Sequence, residues 1–210
     1  MLLSEYAAPA ETLKFSAQYF ASLTFSRVTE LEYPAIASQS IVKQWCFSNE
    51  IPTSATGVVV IHGELIPPTK DLLPIARGME QAYKNGSRSV SLLLCIEGLS
   101  YSVQFHFSKI RLLLLINNNR PAVVGAQNLY HHLSSHDILP PSTVEQFGCL
   151  SIFAPIFGFE ITDFPLWKLS CLLGEVWLEE DVLNALLELL YLEEAIKTKG
   201  DPSFLILPTS

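Results

Sequence analysis

Cysteines and histidines are the residues of this chain whose chemistry could support nucleophilic catalysis. Such a site needs a thiolate, a histidine that lowers the pKa of the thiol, and an acid that orients the histidine. Asp137 is a candidate acid, and the candidate nucleophiles and bases are Cys46, Cys95, Cys149, Cys171, His62, His106, His131, His132 and His136. Their spacing matches no catalytic pattern, and a free cysteine is usually a small core residue. We therefore predict a structural thiol at Cys95, and we favour packing even at Cys149, the best nucleophile candidate.

A metal site is the second chemistry that these residues could support. His132 and His136 are four residues apart and would share one face of a helix. No glutamate follows them in the arrangement of helical zinc peptidases, and Asp137 is the only further ligand nearby. His62 is followed by Glu64 after a predicted strand, but one histidine and one glutamate specify no reaction. A solvated helix end is the favoured interpretation, and we expect neither a metal nor a cofactor.

Acidic residues are concentrated in one segment. The formal net charge is −8, and seven carboxylates without a lysine or arginine lie between Glu175 and Glu194. The rest of the chain has 14 acidic residues (21 minus 7) against 13 basic ones. Because no basic stripe is available to neutralise phosphates, a nucleic-acid partner is not expected. The 49% of hydrophobic residues excludes a disordered composition.

Cysteine usage and the first residues predict an intracellular protein, in the nucleus or the cytoplasm. The four cysteines form no CxxC pair, and residues 1–5 contain neither a basic stretch nor a long apolar run. A transmembrane helix requires about 18 uninterrupted apolar residues. The most apolar stretch, residues 89–116, is interrupted by Glu97, Gln104, His106, Lys109 and Arg111. No membrane partner is therefore expected.

The pattern of apolar residues and turn formers predicts an α+β or α/β fold in three zones. Residues 1–50 are predicted to be a helical amino-terminal region, with helices at residues 11–28 and 35–47. Residues 51–140 are predicted to form a mixed sheet with packed helices. Residues 141–210 are predicted to be an aromatic loop region followed by a helix-rich part.

The middle zone contains the strongest strand patterns. The predicted strands of one sheet are residues 58–61, 90–96, 101–107 and 110–116. Gly98 favours a hairpin between the second and third of these strands. Residues 112–116 contain no polar side chain, so that strand is expected to be covered on both sides. A helix at residues 72–84, a turn at 117–121 and a helix at 122–133 complete the zone.

One apolar helix dominates the last zone, and it is predicted at residues 181–196. The packed loop before it is predicted at residues 147–164, and a strand at residues 203–207 follows it. Its polar residues form a narrow stripe: Asp181, Asn184, Glu188 and Tyr191. A helix that is apolar around most of its circumference needs several packing partners. We therefore expect incomplete burial at its leucines, Leu183, Leu187 and Leu190 among them, and self-association through exposed apolar surface.

Residues 172–190 contain a family-like pattern at the start of this helix. Trp177 and Leu178 are followed by three acidic residues and a leucine-rich run with one asparagine. The pattern resembles the segment that opens the catalytic domain of ubiquitin-like-protein proteases, the SUMO-specific cysteine peptidases. Residues 204–209 fit the same resemblance, which covers about residues 165–210.

The resemblance implies a ubiquitin-like modifier protein, or its conjugates, as the partner. Trp177 would wall the narrow tunnel that admits a Gly-Gly tail, and Glu180 would take the place of the acid that follows the tryptophan. This sequence has Glu-Glu-Asp where the family more often has Asn-Asp or Asp-Asp, so the polar contacts of that acid stay open.

In that family the catalytic histidine, aspartate, glutamine and cysteine come after this segment. The resemblance therefore implies the N-terminal portion of a cysteine peptidase, with the catalytic residues expected beyond residue 210 and no activity in this chain alone. The alternative is a non-catalytic protein-interaction module, or the remnant of a larger gene. Trp177 is then a core aromatic residue, and residues 179–181 are acids that complement the helix dipole. Residues 1–140 carry no such resemblance.

Overall fold

The computed structural model describes residues 17–52, 65–136, 138–159, 163–174 and 178–198. Helices and an antiparallel sheet make up the fold, which confirms the predicted α+β class. The chain divides into two compact units, one of residues 1–20 and 32–120 and the other of residues 21–31 and 121–210. The strands predicted at residues 58–61 and 203–207 lie outside the described residues. No helix in the described ranges is long and apolar enough to span a membrane.

The first unit contains a three-stranded antiparallel sheet of β1 (Val42–Ser48), β2 (Ser89–Ile96) and β3 (Leu99–His106), in that order. The predicted hairpin is confirmed, because β2 and β3 pair in register from Ser89 with His106 to Ile96 with Leu99. Glu97 and Gly98 make the turn with φ values of 52° and 82°. Positive φ at both central residues is the geometry that suits the twist of a two-residue hairpin.

Two short helices, α1 (Ala17–Ala21) and α2 (Phe25–Val28), precede the sheet in the chain. The next helix, α3, spans Thr69–Lys84 and confirms the helix predicted at residues 72–84, before the hairpin in the sequence. Its buried residues, Leu72, Ile75, Met79 and Ala82, recur at helical spacing. The Asp71 carboxylate accepts hydrogen bonds from the backbone N–H groups of Ile41 and Val42, at 2.9 and 3.1 Å. These bonds hold the first residues of β1 against the first turn of α3.

The prediction of a helix at residues 35–47 was wrong, since residues 42–48 form β1. The two aromatic side chains of this strand, Trp45 and Phe47, lie near Gly78 of α3. A Cβ atom at position 78, as in Gly78→Ala, would lie 3.0 Å from the Phe47 ring. Pairing with β2, more than 40 residues away in the chain, decides the strand conformation here. Local spacing therefore could not predict it.

The prediction of a strand at residues 110–116 and a turn at 117–121 was also wrong. Helix α4 (Phe107–Ser135) runs through both segments and includes the helix predicted at residues 122–133. Ile110, Leu113 and Asn117 are buried at intervals of three and four residues, which is the helical repeat. Four consecutive leucines are good helix formers and lack the β-branching that favours strands. Leu112, Leu113 and Ile116 are buried as expected, but within a helix, and Leu114 and Leu115 are only half-buried.

His106 explains where α4 begins. Its ring nitrogen Nδ1 accepts a hydrogen bond from the backbone N–H of Ser108 at 3.2 Å and lies 2.8 Å from the Ser108 hydroxyl. The first N–H groups of a helix have no partner within the helix, so a side-chain acceptor at this position stabilises the start. The chain can therefore pass from β3 into α4 without a connecting loop.

The second unit has its own core. Besides α2 and the later part of α4, it contains α5 (Pro141–Gly148), a 3-10 helix (Leu166–Leu173) and α6 (Glu180–Lys197). The rings of Phe25 and Phe147 pack at a tilt of 43° with their centroids 4.5 Å apart, and the Gln127 amide donates to the carbonyls of Val28 and Leu31. The predicted helix at residues 11–28 is replaced by the short helices α1 and α2 in its described part, because Thr24 caps a new helix start. The loop predicted at residues 147–164 is irregular at residues 149–159, 163 and 164, but its first two residues belong to α5.

Candidate functional site

Helix α6 carries the described part of the predicted binding segment. The helix spans Glu180–Lys197, which confirms the predicted helix at residues 181–196. Glu180 itself is exposed. Trp177 lies outside the described residues. The predicted pair of tail-binding residues therefore has one described member, Glu180, in the first turn of a helix.

Lys168 holds the start of α6. Its Nζ lies 2.8 Å from Oε2 of Glu179 and 2.6 Å from Oδ2 of Asp181. The Lys168 side chain is 19% exposed, and the two carboxylate side chains are 48% and 45% exposed. Glu179 precedes the helix with extended backbone, and its carbonyl accepts the N–H of Leu183 at 3.0 Å. Lys168, in the 3-10 helix, thus forms ion pairs with the residues directly before and after Glu180, the first residue of α6.

These two ion pairs raise the pKa of the Lys168 ammonium group. Hydrogen bonds to Asp181 and then Glu179 raise the pKa of Lys168, against the smaller effect of burial. The carboxylates at the start of α6 also lie near the positive end of the helix dipole, where negative charge is favourable. Two sources of positive potential therefore stabilise the acidic residues that the sequence places here.

A small apolar core supports the first half of α6. Phe164, Val182 and Ala185 are buried together, with five half-buried residues packed on them: Ile156, Phe159, Leu169, Cys171 and Leu186. The same 3-10 helix approaches α4 closely, because a Cβ at Gly125 would lie 2.6 Å from the Ser170 hydroxyl. The first two turns of α6 are thus held by packing as well as by Lys168.

The second half of α6 presents its apolar residues to solvent. Leu189 is 50% exposed, Leu190 54%, Leu192 43% and Ile196 79%. The prediction of incomplete burial is confirmed, since Leu190 is exposed and Leu183 and Leu187 are only half-buried. We call the surface of Leu189, Leu192 and Ile196, which follow one another at intervals of three and four residues, the α6 face. Leu190 is exposed on another side of the helix, about 100° around the axis from Leu189.

The polar stripe of α6 does not lie on its solvent side. Asn184 and Glu188 are 8% and 6% exposed, while leucines a turn further along are half exposed. A buried glutamate beside exposed leucines reverses the usual arrangement of a surface helix. Burial of this helix therefore follows the position of its neighbours rather than its own hydrophobic pattern.

The α6 face continues a stripe that is already buried. Val182, Ala185, Leu189, Leu192 and Ile196 follow one another at intervals of three, four, three and four residues. This is the spacing of the apolar seam in paired helices. Val182 and Ala185 are covered by the local core, whereas the last three members are uncovered. The residues of the seam are thus buried at the start of the helix and exposed toward its end.

Among the residues that the structure describes, the cysteines and histidines do not form the nucleophilic arrangement that the sequence left open. Cys46 on β1 and Cys149 after α5 are exposed, whereas Cys95 in β2 and Cys171 are half-buried. Within the described ranges no hydrogen bond joins any of these thiols to a histidine ring. The rings of His132 and His136 stack with centroids 4.2 Å apart, next to the exposed His131. His62 and Asp137 lie outside the described residues.

Metal ligands are equally dispersed in the described part of the chain. There, no group of three or more histidine, cysteine or carboxylate side chains is positioned to hold a metal ion. His136 Nδ1 faces the backbone carbonyl of His132 at 3.1 Å. The two stacked rings therefore interact first with their own helix end.

Lys168 is the residue that the sequence analysis missed. It is the nearest basic residue before the acidic segment, and none follows until Lys197. A single cation placed shortly before several carboxylates is the signal that could have identified it. The distance of 11 to 13 residues hides the contact, because it lies beyond the reach of neighbours on one helix.

Comparisons with protein-family models, with curated proteins and with solved structures give no match to this chain. The function is therefore argued from the contacts and exposure of its own residues.

Proposed function

We propose that this chain is a protein-interaction module that binds its partner through the α6 face. The observation that supports the proposal is the apolar seam of α6, which is buried at Val182 and Ala185 and open at Leu189, Leu192 and Ile196. Single exposed leucines are ordinary on protein surfaces, but a contiguous apolar patch is typical of an interaction site. Leu189, Leu192 and Ile196 lie on one side of one helix and form such a patch.

The free energy that a partner would gain by covering the α6 face is moderate. Full burial of a leucine or isoleucine side chain contributes roughly 1.5 to 3 kcal/mol, so covering the half-exposed residues of the α6 face would contribute about 1 kcal/mol each. Part of that gain is lost to the entropy of association. A contact of this size supports reversible binding rather than a permanent complex. Self-association of the chain through the same face is the nearest competing outcome.

Site-specific photo-crosslinking tests this proposal. A photoreactive residue at position 192 of the full chain should form a covalent adduct with one partner protein in cells that produce the chain. The matched control is the same residue at position 99, because Leu99 is 61% exposed but belongs to the β2–β3 hairpin. Equal labelling from both positions would contradict the proposal. Adducts consisting of two copies of this chain would identify self-association instead.

A second candidate function follows from the resemblance to ubiquitin-like-protein peptidases. The observation that supports it is the start of α6 at Glu180, directly after the Trp-Leu-acid segment, with Lys168 bound to the acids on either side. On this proposal the segment contacts the Gly-Gly tail of a ubiquitin-like modifier. The family's catalytic residues come after the corresponding segment, so binding without turnover is expected.

Calorimetric titration distinguishes the second candidate from the first. A SUMO protein ending in Gly-Gly should bind the chain, and the same protein without those two residues should not. Trp177→Ala and Glu180→Ala should weaken that binding, while Leu192→Asp should leave it unchanged. Fluorogenic SUMO and ubiquitin substrates should not be cleaved. Cleavage that Cys149→Ala abolishes would place a catalytic centre in this chain and contradict both candidates.

A further inference from the structure

Two histidines meet at the carboxyl end of α4. His132 lies in the last turn of the helix, and His136 directly follows its last residue. Their imidazole rings stack with centroids 4.2 Å apart and planes 26° from parallel. His136 is exposed and His132 is half-buried, so both rings are in contact with solvent. Because imidazole is the commonest metal ligand of proteins, two rings side by side form a candidate metal site.

One hydrogen bond prepares His136 for coordination. Its Nδ1 lies 3.1 Å from the backbone carbonyl oxygen of His132. A carbonyl oxygen can only accept, so the proton of the neutral ring lies on Nδ1, and Nε2 keeps its lone pair. In metal-binding histidines, one nitrogen coordinates the ion and the N–H of the other donates to a carboxylate, a backbone carbonyl or water. His136 therefore already has the outer hydrogen bond of a ligand histidine.

Neighbouring side chains stabilise this helix end in the same way. The hydroxyl groups of Ser134 and Ser135 donate to the backbone carbonyls of Tyr130 and His131, each at 2.7 Å. With His136, three consecutive side chains thus bind the carbonyls four residues before them. The last carbonyls of a helix form the negative end of its dipole, where a cation is favourable. Both the order and the charge of this helix end therefore suit a bound cation.

We propose that His132 and His136 form a surface site for a divalent transition-metal ion such as Zn²⁺ or Ni²⁺. Nε2 of His136 is one ligand, and a ring nitrogen of His132 is the other. The inference goes beyond the proposed interaction function and does not rest on it. The four-residue spacing by itself is also compatible with a solvated helix end. The stacked rings and the hydrogen bond of His136 are the observations that favour a metal site.

Coordination distances are compatible with one shared ion. Zinc binds histidine nitrogens at about 2.0 to 2.1 Å with tetrahedral angles, so two nitrogens on one ion lie about 3.3 Å apart. The ring centroids are 4.2 Å apart, and a small rotation of the exposed His136 ring covers the difference. Among the residues that the structure describes, no third histidine, cysteine or carboxylate is positioned to join the pair. Two ligands leave further positions of the ion open to water or to another molecule, so we expect exchangeable binding.

Calorimetric titration of the full chain, produced without a histidine tag, tests the site. Cys46 and Cys149 are exposed, and cysteine sulfur also binds these metals, so both are first replaced by serine. Zn²⁺ and Ni²⁺ should each bind at one site that depends on both histidine rings. Mg²⁺ should not bind there, because it prefers oxygen ligands. Absence of Zn²⁺ and Ni²⁺ binding even at millimolar metal would overturn the proposal.

Matched variants of the same helix end locate the ligands. His136→Asn keeps a side-chain donor near the His132 carbonyl but removes Nε2, and His132→Asn removes the second ring. Each should weaken Zn²⁺ binding at least about tenfold, since two linked ligands hold an ion far more tightly than either alone. The control is His131→Asn, because His131 is exposed beside the pair but has Ser135, not a histidine, four residues further along. This variant should bind Zn²⁺ as tightly as the parent.

¹⁵N NMR of the imidazole rings identifies the coordinating atoms in the chain with both rings intact, so it does not depend on the folding of any variant. Added Zn²⁺ should shift Nε2 of His136 while Nδ1 stays protonated, and should shift one nitrogen of His132 at the same metal concentration. Coordination by His136 that persists with unchanged affinity in His132→Asn would overturn the shared site. Equal loss of affinity in all three asparagine variants would overturn it too, because the pair would then have no special role.

Discussion

Replacing Lys168 with methionine removes the cation that holds the start of α6 while keeping an unbranched apolar side chain. Two ion pairs are lost, at 2.8 Å to Glu179 and 2.6 Å to Asp181. Exposed ion pairs contribute about 0.2 to 1 kcal/mol each, and hydrogen bonds to charged groups about 1.5 to 3 kcal/mol. Because Lys168 is mostly buried but both carboxylates remain about half exposed to water, we expect the free energy of unfolding to fall by about 1.5 kcal/mol.

The matched control is Lys84→Met. Lys84 pairs with Glu80 at 2.8 Å on one exposed helix surface, where both side chains are more than half exposed. Such a pair contributes about 0.3 to 0.5 kcal/mol. Urea unfolding at low salt should therefore show a clearly larger loss for Lys168→Met than for Lys84→Met. Hydrogen exchange at the Leu183 amide, which bonds to the Glu179 carbonyl, should accelerate only in the Lys168 variant.

The pH dependence gives an independent check of the same contact. The pKa of Lys168 is raised in the folded chain, so its stabilising contribution is fully present below the unfolded pKa of about 10.4. It is lost as the pH rises through the folded pKa, and Lys168→Met should lack that decline. A Lys168 variant as stable as the Lys84 variant at low salt, with unchanged exchange at Leu183, would refute the argument that this lysine anchors α6.

Further predictions concern helix starts and close packing. Burial lowers the pKa of His106, which caps the start of α4 at Ser108. The stability contributed by this cap should be fully present above the unfolded pKa of about 6.5 and should decline as the pH falls through the lower, folded pKa. Urea unfolding across this pH range should show no such decline for His106→Ala. Gly148→Ala should lower the free energy of unfolding by about 1 to 3 kcal/mol, because its Cβ would lie 2.6 Å from the Tyr130 hydroxyl; restoration by a second change, Tyr130→Phe, would support this contact, and an unchanged midpoint would contradict it. Pro121→Ala should raise stability by about 1 kcal/mol, since alanine restores a backbone donor inside α4; a lower melting temperature would show that packing requires the proline.

Several elements could be predicted because their signals are local. The buried residues of α3 recur at helical spacing, and Gly98 marks a tight turn between two alternating strands. Leu112 to Leu115 carried no such signal, since a uniformly apolar run is compatible with a buried strand or a buried helix. The leucine content favoured the helix, and the asparagines and Pro121 that predicted a turn lie inside it.

The candidate site was predictable only in part. Residue pattern identified the α6 segment and the leucines that stay incompletely buried, because those properties belong to the helix itself. The contact of Lys168 with Glu179 and Asp181 was missed, because it joins two elements and depends on the path of the chain between them. The role of His106 as a helix cap was missed for the same reason, since α4 was not expected to begin there.

By itself, the sequence determined the α+β class, the hairpin, α3 and the existence of α6, because helical and strand repeats are set by neighbours within a few residues. Only the tertiary structure decided that residues 42–48 become a strand, because the pairing partner lies in β2. It also decided which side of α6 is covered. Asn184 and Glu188 are buried and the leucines of the α6 face are exposed, because burial depends on what surrounds a helix, and a hydrophobic pattern does not contain that information.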